Sequence, residues 1–179
     1  MKHKVNKAFA SPFKIRYLKM SLAYLDSPIG IIEMIELDGK ISSIQFVKEK
    51  DKKANLTELL KIAKTELQAY FNGELKDFSF PMQQQGTNFQ QEVWRNLKAI
   101  PFGYQVSYTT LAVRLNNLPA IRAIATTNGK NKILIAIPCH RIIGIGGDMT
   151  GYAGEIWRKK WLLEHEGKVA GIGQASLAL

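Results

Sequence analysis

Three short runs rich in apolar residues, separated by turn signals, fill residues 20–47. Met20–Asp26, Ile31–Leu37 and Ile41–Val47 each read as a half-buried strand. Ser27-Pro28-Ile29-Gly30 and Asp38-Gly39 supply turn chemistry between them, so the segment predicts a β-meander. The period then changes. Beyond a charged loop, Lys48–Ala54, the residues Leu56, Leu59, Leu60, Ile62, Ala63, Leu67 and Tyr70 fall near helical spacing. Asn72-Gly73 marks the stop of that helix. Phe78–Pro81 suggests a short extended piece, and the polar run Met82–Gly86 reads as a linker.

The second half is mainly helical in pattern. Thr87 or Asn88 caps a helix reaching Ile100, with Phe89, Val93, Trp94 and Leu97 on its buried face. Pro101-Phe102-Gly103 stops it. Ser107 caps a second helix, Tyr108–Leu115. After a turn at Asn116-Asn117-Leu118, Pro119 opens a third helix to about Thr127, closed by Asn128-Gly129. Two short helices, with Arg114 and Arg122 flanking the turn, have the outline of a helix-turn-helix. Ile133–Ile137 looks like a buried strand that Pro138 ends, because proline has no N–H for a ladder. A last helix spans about Glu155 to His165, with Trp157, Trp161, Leu162 and Leu163 toward the core. The predicted class is α+β: a small antiparallel sheet with a helix over residues 1–84, then a mainly helical domain over 85–179.

Composition narrows the partners. The chain has 179 residues, 46% hydrophobic and 22% charged, an ordinary globular balance. A net charge of +10 and a pI near 9.7 point to a polyanion. Met1–Tyr24 is basic and has neither a long apolar stretch nor a convincing cleavage site, so it reads as a tail and not as a secretory signal. Apolar runs fall well short of the roughly 18 residues a membrane span needs, so no membrane partner is expected.

The one cysteine, Cys139, lies in Ile137-Pro138-Cys139-His140-Arg141-Ile142-Ile143. One cysteine allows no internal disulfide, no Cys-x-x-Cys pair and no multi-cysteine zinc site. A free cysteine among apolar residues is ordinarily a small core filler. Here it follows a strand-breaking proline and precedes a histidine and an arginine, which places it at a cleft. A free thiol suits the reducing cytoplasm, nucleoid-associated or, in a eukaryote, nuclear.

Taken together, Gly86-Thr87-Asn88-Phe89-Gln90, Val93-Trp94, Pro101-Phe102-Gly103, Ser107-Tyr108, Arg122-Ala123, Asn128-Gly129, Asn131, Pro138-Cys139-His140-Arg141, Gly151-Tyr152 and Trp161–Gly167 resemble the 6-O-alkylguanine-DNA alkyltransferases, also called methylated-DNA–protein-cysteine methyltransferases. The resemblance covers Gly86 to Gly167. It implies an RNase H-like first domain and a winged-type helix-turn-helix in the second. It further implies DNA repair in which the Cys139 sulfur takes an alkyl group from oxygen 6 of guanine, or oxygen 4 of thymine, once and irreversibly. The cofactor expectation is none, and the expected state is a monomer on the minor groove of alkylated double-stranded DNA.

The implied roles fall on matching positions. His140 removes the thiol proton through a water and Glu166 orients His140; Tyr108 donates toward the leaving guanine. Arg122 fills the stack when the base swings out. Ala123, Thr109, Asn117, Arg114 and Asn131 join the DNA-binding set, and Asn131 also joins the turn to the active-site segment by backbone hydrogen bonds. Pro138, Ile142, Tyr152, Ala153 and Gly154 form the base pocket, and no metal is expected. Lys132, Ile121 and the Ile142-Ile143 pair depart from the usual pattern, and the loop 145–150 leaves substrate range open. A non-enzymatic binder of alkyl lesions is the alternative; its relatives lack the reactive cysteine that is present here.

Overall fold

The computed structural model describes residues 19–50, 54–149 and 151–172. Most of the basic N-terminal tail, the middle of the charged loop and one residue of the 145–150 loop lie outside the described residues. Three strands, β1 (Met20–Ser27), β2 (Gly30–Leu37) and β3 (Lys40–Val47), form an antiparallel sheet in sequence order. Asp38 and Gly39 both have positive φ, 49° and 75°, as a two-residue hairpin on twisted strands requires. A register shift at Ile35/Glu36 kinks β2.

Helix α1 (Glu58–Phe71) covers the sheet with Leu60, Ala63, Leu67, Tyr70 and Phe71, and Thr57 caps it by accepting from Leu60 N. Leu56 and Ile62, expected in that stripe, are instead exposed. The free edge of β3 is not left to solvent. Ile41 N donates to Pro81 O and Gln83 N to Ile41 O; Ile44 N donates to Lys132 O and Leu134 N to Ile44 O. Two segments from later in the chain thus satisfy the backbone of that edge.

In the second half, α2 (Asn88–Lys98) starts in a capping box between Thr87 and Gln90, and buries Val93, Trp94 and Leu97. The two-residue strands β4 (Val106–Ser107) and β5 (Ile142–Ile143) pair in parallel. Helix α3 (Tyr108–Arg114) is capped by Ser107, whose Oγ accepts from Thr110 N. Leu118–Ala120 is a 3-10 turn rather than the start of the next helix, so α4 runs Ile121–Gly129, with Ile124, Thr127 and Asn128 inward. The last helix, α5, runs Ile156–Ala170, five residues beyond the expected end at His165, and stops at Gly171 in the left-handed conformation. The architecture is α+β.

Two expectations change here. Ile133–Ile137 is buried but is not a strand. Only Ile133 bridges the sheet, and the rest folds into turns, with Ile135 at φ 70°, Ala136 N donating to Leu134 O and Ile137 N to Ile133 O. Trp157 is half exposed instead of buried. Arg158 takes the inward place, sandwiched between the Phe46 and Trp157 rings at 4.5 Å from each and donating to Ile29 O and Gly154 O. Among the described residues, no helix is long and apolar enough to cross a membrane.

Candidate active site

The turns after Ile133 deliver Cys139 to the floor of the molecule. Cys139–Arg141 is a single 3-10 turn begun by Pro138, and Cys139 is only 1% exposed. The sequence put this thiol in an open cleft; the chain instead folds back over it. Asn131 is the reason. Its amide Nδ2 donates to Ile137 O at 2.8 Å and to Cys139 Sγ at 3.1 Å, while its Oδ1 accepts from Ile133 N at 3.0 Å. Asn131, expected among the DNA contacts and as a backbone tether of this segment, is buried; it makes the tether and adds a bond to the thiol. Gln84, inside the supposed linker, is buried too and braces Asn131, donating to Oδ1 at 3.0 Å.

His140 and Arg141, next in the turn, both point inward at Glu166 on α5. The Glu166 carboxylate is fully buried and accepts five hydrogen bonds. Oε1 takes them from His140 Nε2 at 2.9 Å, Tyr70 Oη at 2.8 Å and Arg141 Nη2 at 3.0 Å. Oε2 takes them from Arg141 Nε at 2.8 Å and Gly103 N at 3.1 Å. Gly103 has φ 82°, and a Cβ there would lie 2.7 Å from Ala170 Cβ, so only glycine lets this turn reach α5. Burial disfavours the charged carboxylate, but His140 and Arg141 outweigh it and hold Glu166 well below the usual carboxylate range.

That charge settles the imidazole. An ionised carboxylate only accepts, so His140 Nε2 carries the hydrogen and Nδ1 is the bare nitrogen. Nδ1 is buried and has no hydrogen-bond partner among the described residues. Burial lowers the pKa of His140 against the pull of Glu166, and burial pushes the Cys139 thiol up to about 11, partly opposed by Asn131 and by the Lys159 charge. The resting pair is therefore thiol and neutral imidazole. Lys159, at 0% exposure, is brought down to about 8 by burial and still carries its charge at neutral pH.

A neutral buried histidine has a consequence for stability. Below about pH 6.5 an unfolded histidine takes up a proton that His140 refuses, so the unfolded state binds more protons and stability falls as pH drops. The Glu166 contribution is still present above about pH 4.5, because its unfolded carboxyl ionises there. Urea midpoints are expected to drop between pH 7 and 5. A flat midpoint over that window would mean that folding leaves the His140 pKa where it is in the unfolded chain, and a rising one would mean a protonated His140.

Tyr108, half-buried at the start of α3, is tied to the turn through Asn128, whose Nδ2 lies 3.3 Å from both Tyr108 Oη and Cys139 O. Burial raises the Tyr108 pKa, so its phenol is protonated. Tyr152, Ile142 and Gly154 are buried around the same floor, while Ala153 is exposed. A Cβ on Gly154 would lie 2.6 Å from Tyr152 Cε1 and 2.9 Å from Phe46 Cδ2, so no larger residue fits this rim without displacing a ring. On the outer side Arg114, Asn117, Arg122 and Ala123 are exposed along the α3–α4 pair, and Thr109 is half-buried. Among the described residues no three His, Cys, Asp or Glu side chains are grouped to hold a metal ion.

The 6-O-methylguanine DNA methyltransferase ribonuclease-like domain matches residues 20–84, and the DNA-binding domain of the same proteins matches 88–168. A methylated-DNA–protein-cysteine methyltransferase from Methanosarcina acetivorans is 38% identical over 154 residues, 83% of this chain and 99% of its own. The chain belongs to the methylated-DNA–protein-cysteine methyltransferase family. Solved structures agree with that membership. The Mycobacterium tuberculosis O6-methylguanine methyltransferase has a TM-score of 0.76 at 33% identity, over 89% of this chain and 97% of that one. The M. tuberculosis protein in complex with DNA gives 0.75 at 36%, over 82% and 92%.

Four residues that support this methyltransferase site were given no site role from the sequence: Tyr70, Gln84, Asn128 and Lys159. Lys159 and Glu166 did carry a signal. With Leu162, Leu163 and Gly167 they are the buried residues of α5, at spacings of three and four. Two charged residues on an apolar helical stripe mark a buried electrostatic centre.

Proposed function

We propose that this protein is a DNA repair alkyltransferase, acting on duplex DNA that carries alkylated guanine and keeping the alkyl group on Cys139. The observation that carries the proposal is the buried Cys139–His140–Glu166 arrangement, with Tyr108 linked to it through Asn128 and the exposed α3–α4 pair beside it. The activity of the M. acetivorans relative and the DNA complex of the M. tuberculosis one support the same reading.

The chemistry follows from the resting state. A protonated thiol is a poor nucleophile. Its proton passes through a water to the bare His140 Nδ1, and Glu166 stabilises the imidazolium that results. Lys159 and the Asn131 amide stabilise the thiolate. The sulfur attacks the alkyl carbon in line with the carbon–O6 bond; the S–C bond forms as the C–O6 bond breaks. Electrons from that bond move into the guanine ring, where Tyr108 Oη donates a hydrogen bond or proton to the developing anion. The S-alkyl bond is stable, so each chain reacts once. Thymine alkylated on oxygen 4 presents the same leaving chemistry and is a second substrate.

A base in a duplex cannot reach a sulfur this deep, so the nucleotide swings out and enters past Tyr108 and residues 151–154. The α4 helix lies in the minor groove, Ala123 permits close approach, and Arg122 occupies the gap left in the stack. The +10 net charge supports sequence-independent phosphate binding, in the cytoplasm or wherever the DNA is held.

Incubation with duplex carrying a labelled 6-O-methyl group tests the reading. One label per chain should appear on the peptide containing Cys139; label staying on DNA at stoichiometric protein would refute it. Arg122→Ala is expected to slow transfer from duplex about 10–100-fold, a loss of a few kcal/mol of flipping support. It should leave reaction with the free alkylated base nearly unchanged. Equal losses on the two substrates would remove the stack-filling role.

A further inference from the structure

Glu166 is held partly by a residue from the other half of the chain. Tyr70 lies in the last turns of α1, is fully buried, and donates its phenol to the same carboxylate oxygen that His140 Nε2 uses. Its ring has no freedom to leave. It packs between Phe71, Phe78, Phe102 and His165, with ring centroids 5.4–5.9 Å away. Its backbone is fixed as well, since His165 Nε2 lies 2.9 Å from Tyr70 O. One residue of α1 thus grips two successive residues of α5.

We propose that Tyr70 is a positioning residue of the alkyl-transfer site, setting through Glu166 how readily His140 takes the thiol proton. This rests on the repair reading given above. The phenol shares the negative charge of Oε1 with His140 Nε2 and Arg141 Nη2. With the phenol removed, that oxygen has one donor fewer to satisfy, and its hold on the imidazole strengthens. A stronger hold favours imidazolium, so the His140 pKa rises. A stronger donor at position 70 has the opposite effect.

The other groups facing this centre do not change between these variants. Arg141 comes from the same turn as His140, Lys159 from α5, and Cys139 and Tyr152 lie beyond the imidazole. Tyr70 itself stays protonated, since burial and the neighbouring Glu166 charge raise its pKa well above the ordinary value. It therefore acts as a fixed donor across the working pH range.

The test is the pH profile of single-turnover transfer, pH 5–9, for the wild type, Tyr70→Phe and Tyr70→3,5-difluorotyrosine. Phenylalanine keeps the ring packing and removes only the oxygen. The low-pH limb should move up by about one pH unit for Tyr70→Phe, the scale of one hydrogen bond to a charged group. It should move down for the fluorinated phenol, a stronger donor of the same shape. A purely structural tyrosine would lower amplitude or melting temperature and leave the limb in place. Titration of the His140 ring carbon by NMR, without DNA, should show the same two opposite shifts. Limbs and titrations that superpose for all three proteins would overturn the proposal. Should Tyr70→Phe fail to fold, the fluorinated variant decides alone by its direction. Should the wild type transfer nothing, the repair reading fails, and the NMR titration still judges the link from Tyr70 to His140.

Discussion

Cys139→Ser is expected to leave all label on the DNA. The change swaps one sulfur for one oxygen on the floor of the site, where Asn131 Nδ2 can still donate to it. What is lost is nucleophilicity. The thiol, already raised to about 11 by burial, is within reach of a histidine base assisted by Lys159; a serine hydroxyl is several units more basic still. With no other cysteine in the chain, no second thiol can take over. Affinity for a lesion-bearing duplex should change less than about twofold, because the DNA-facing residues of α3 and α4 are untouched. Mass spectrometry after exposure to alkylated duplex reads the result directly. An added methyl on the Cys139→Ser protein would put the nucleophile elsewhere.

Glu166→Gln should damage both chemistry and stability. The amide is uncharged and offers one acceptor and one donor, where five donors now converge. Whichever way it turns, an N–H faces another N–H or O–H, and Arg141 stays buried without its counter-charge. Breaking a buried pair in this way costs about 3–5 kcal/mol. For a chain of this size that corresponds to a melting temperature lower by about 10 °C. Transfer measured well below the melting point should fall ~10²–10⁴-fold, the range for an oriented general base, since His140 loses the partner that fixes its tautomer. Glu164→Gln is the matched control. Glu164 is exposed on the same helix, 3.8 Å from exposed Lys160, and its loss should change neither quantity measurably. Equal effects at 164 and 166 would show that helix α5, and not the buried carboxylate, governs the result.

Much of this fold could be read locally. Asp38-Gly39 and the Thr87 cap act within a few residues of themselves, so the hairpin and α2 fell where the pattern put them. The errors arose where tertiary contacts overrode local pattern. Ile133–Ile137 has the apolar run of a strand, but the Asn131 side chain occupies backbone groups that a ladder would need, and the segment turns. Trp157 looks more apolar than Arg158, yet the guanidinium has two aromatic faces and two carbonyls waiting for it, and the tryptophan stays at the surface. Cys139 and His140 stood out from the residues themselves and Glu166 from resemblance to a family; their mutual placement did not. Tyr70 and Gln84 had no local signal of a role at the site, because each acquires that role from a partner 96 or 47 residues away.

Cys139 sits inside the hydrophobic core that Ile137, Ile142 and Tyr152 share. A methyl or larger group fixed to that sulfur therefore enters close-packed space, and overfilling of that kind costs about 1–3 kcal/mol. The spent molecule differs from the fresh one in its interior before it differs anywhere on its surface. The reacted protein is therefore expected to melt at a lower temperature than the unreacted one, which calorimetry before and after exposure to alkylated duplex checks.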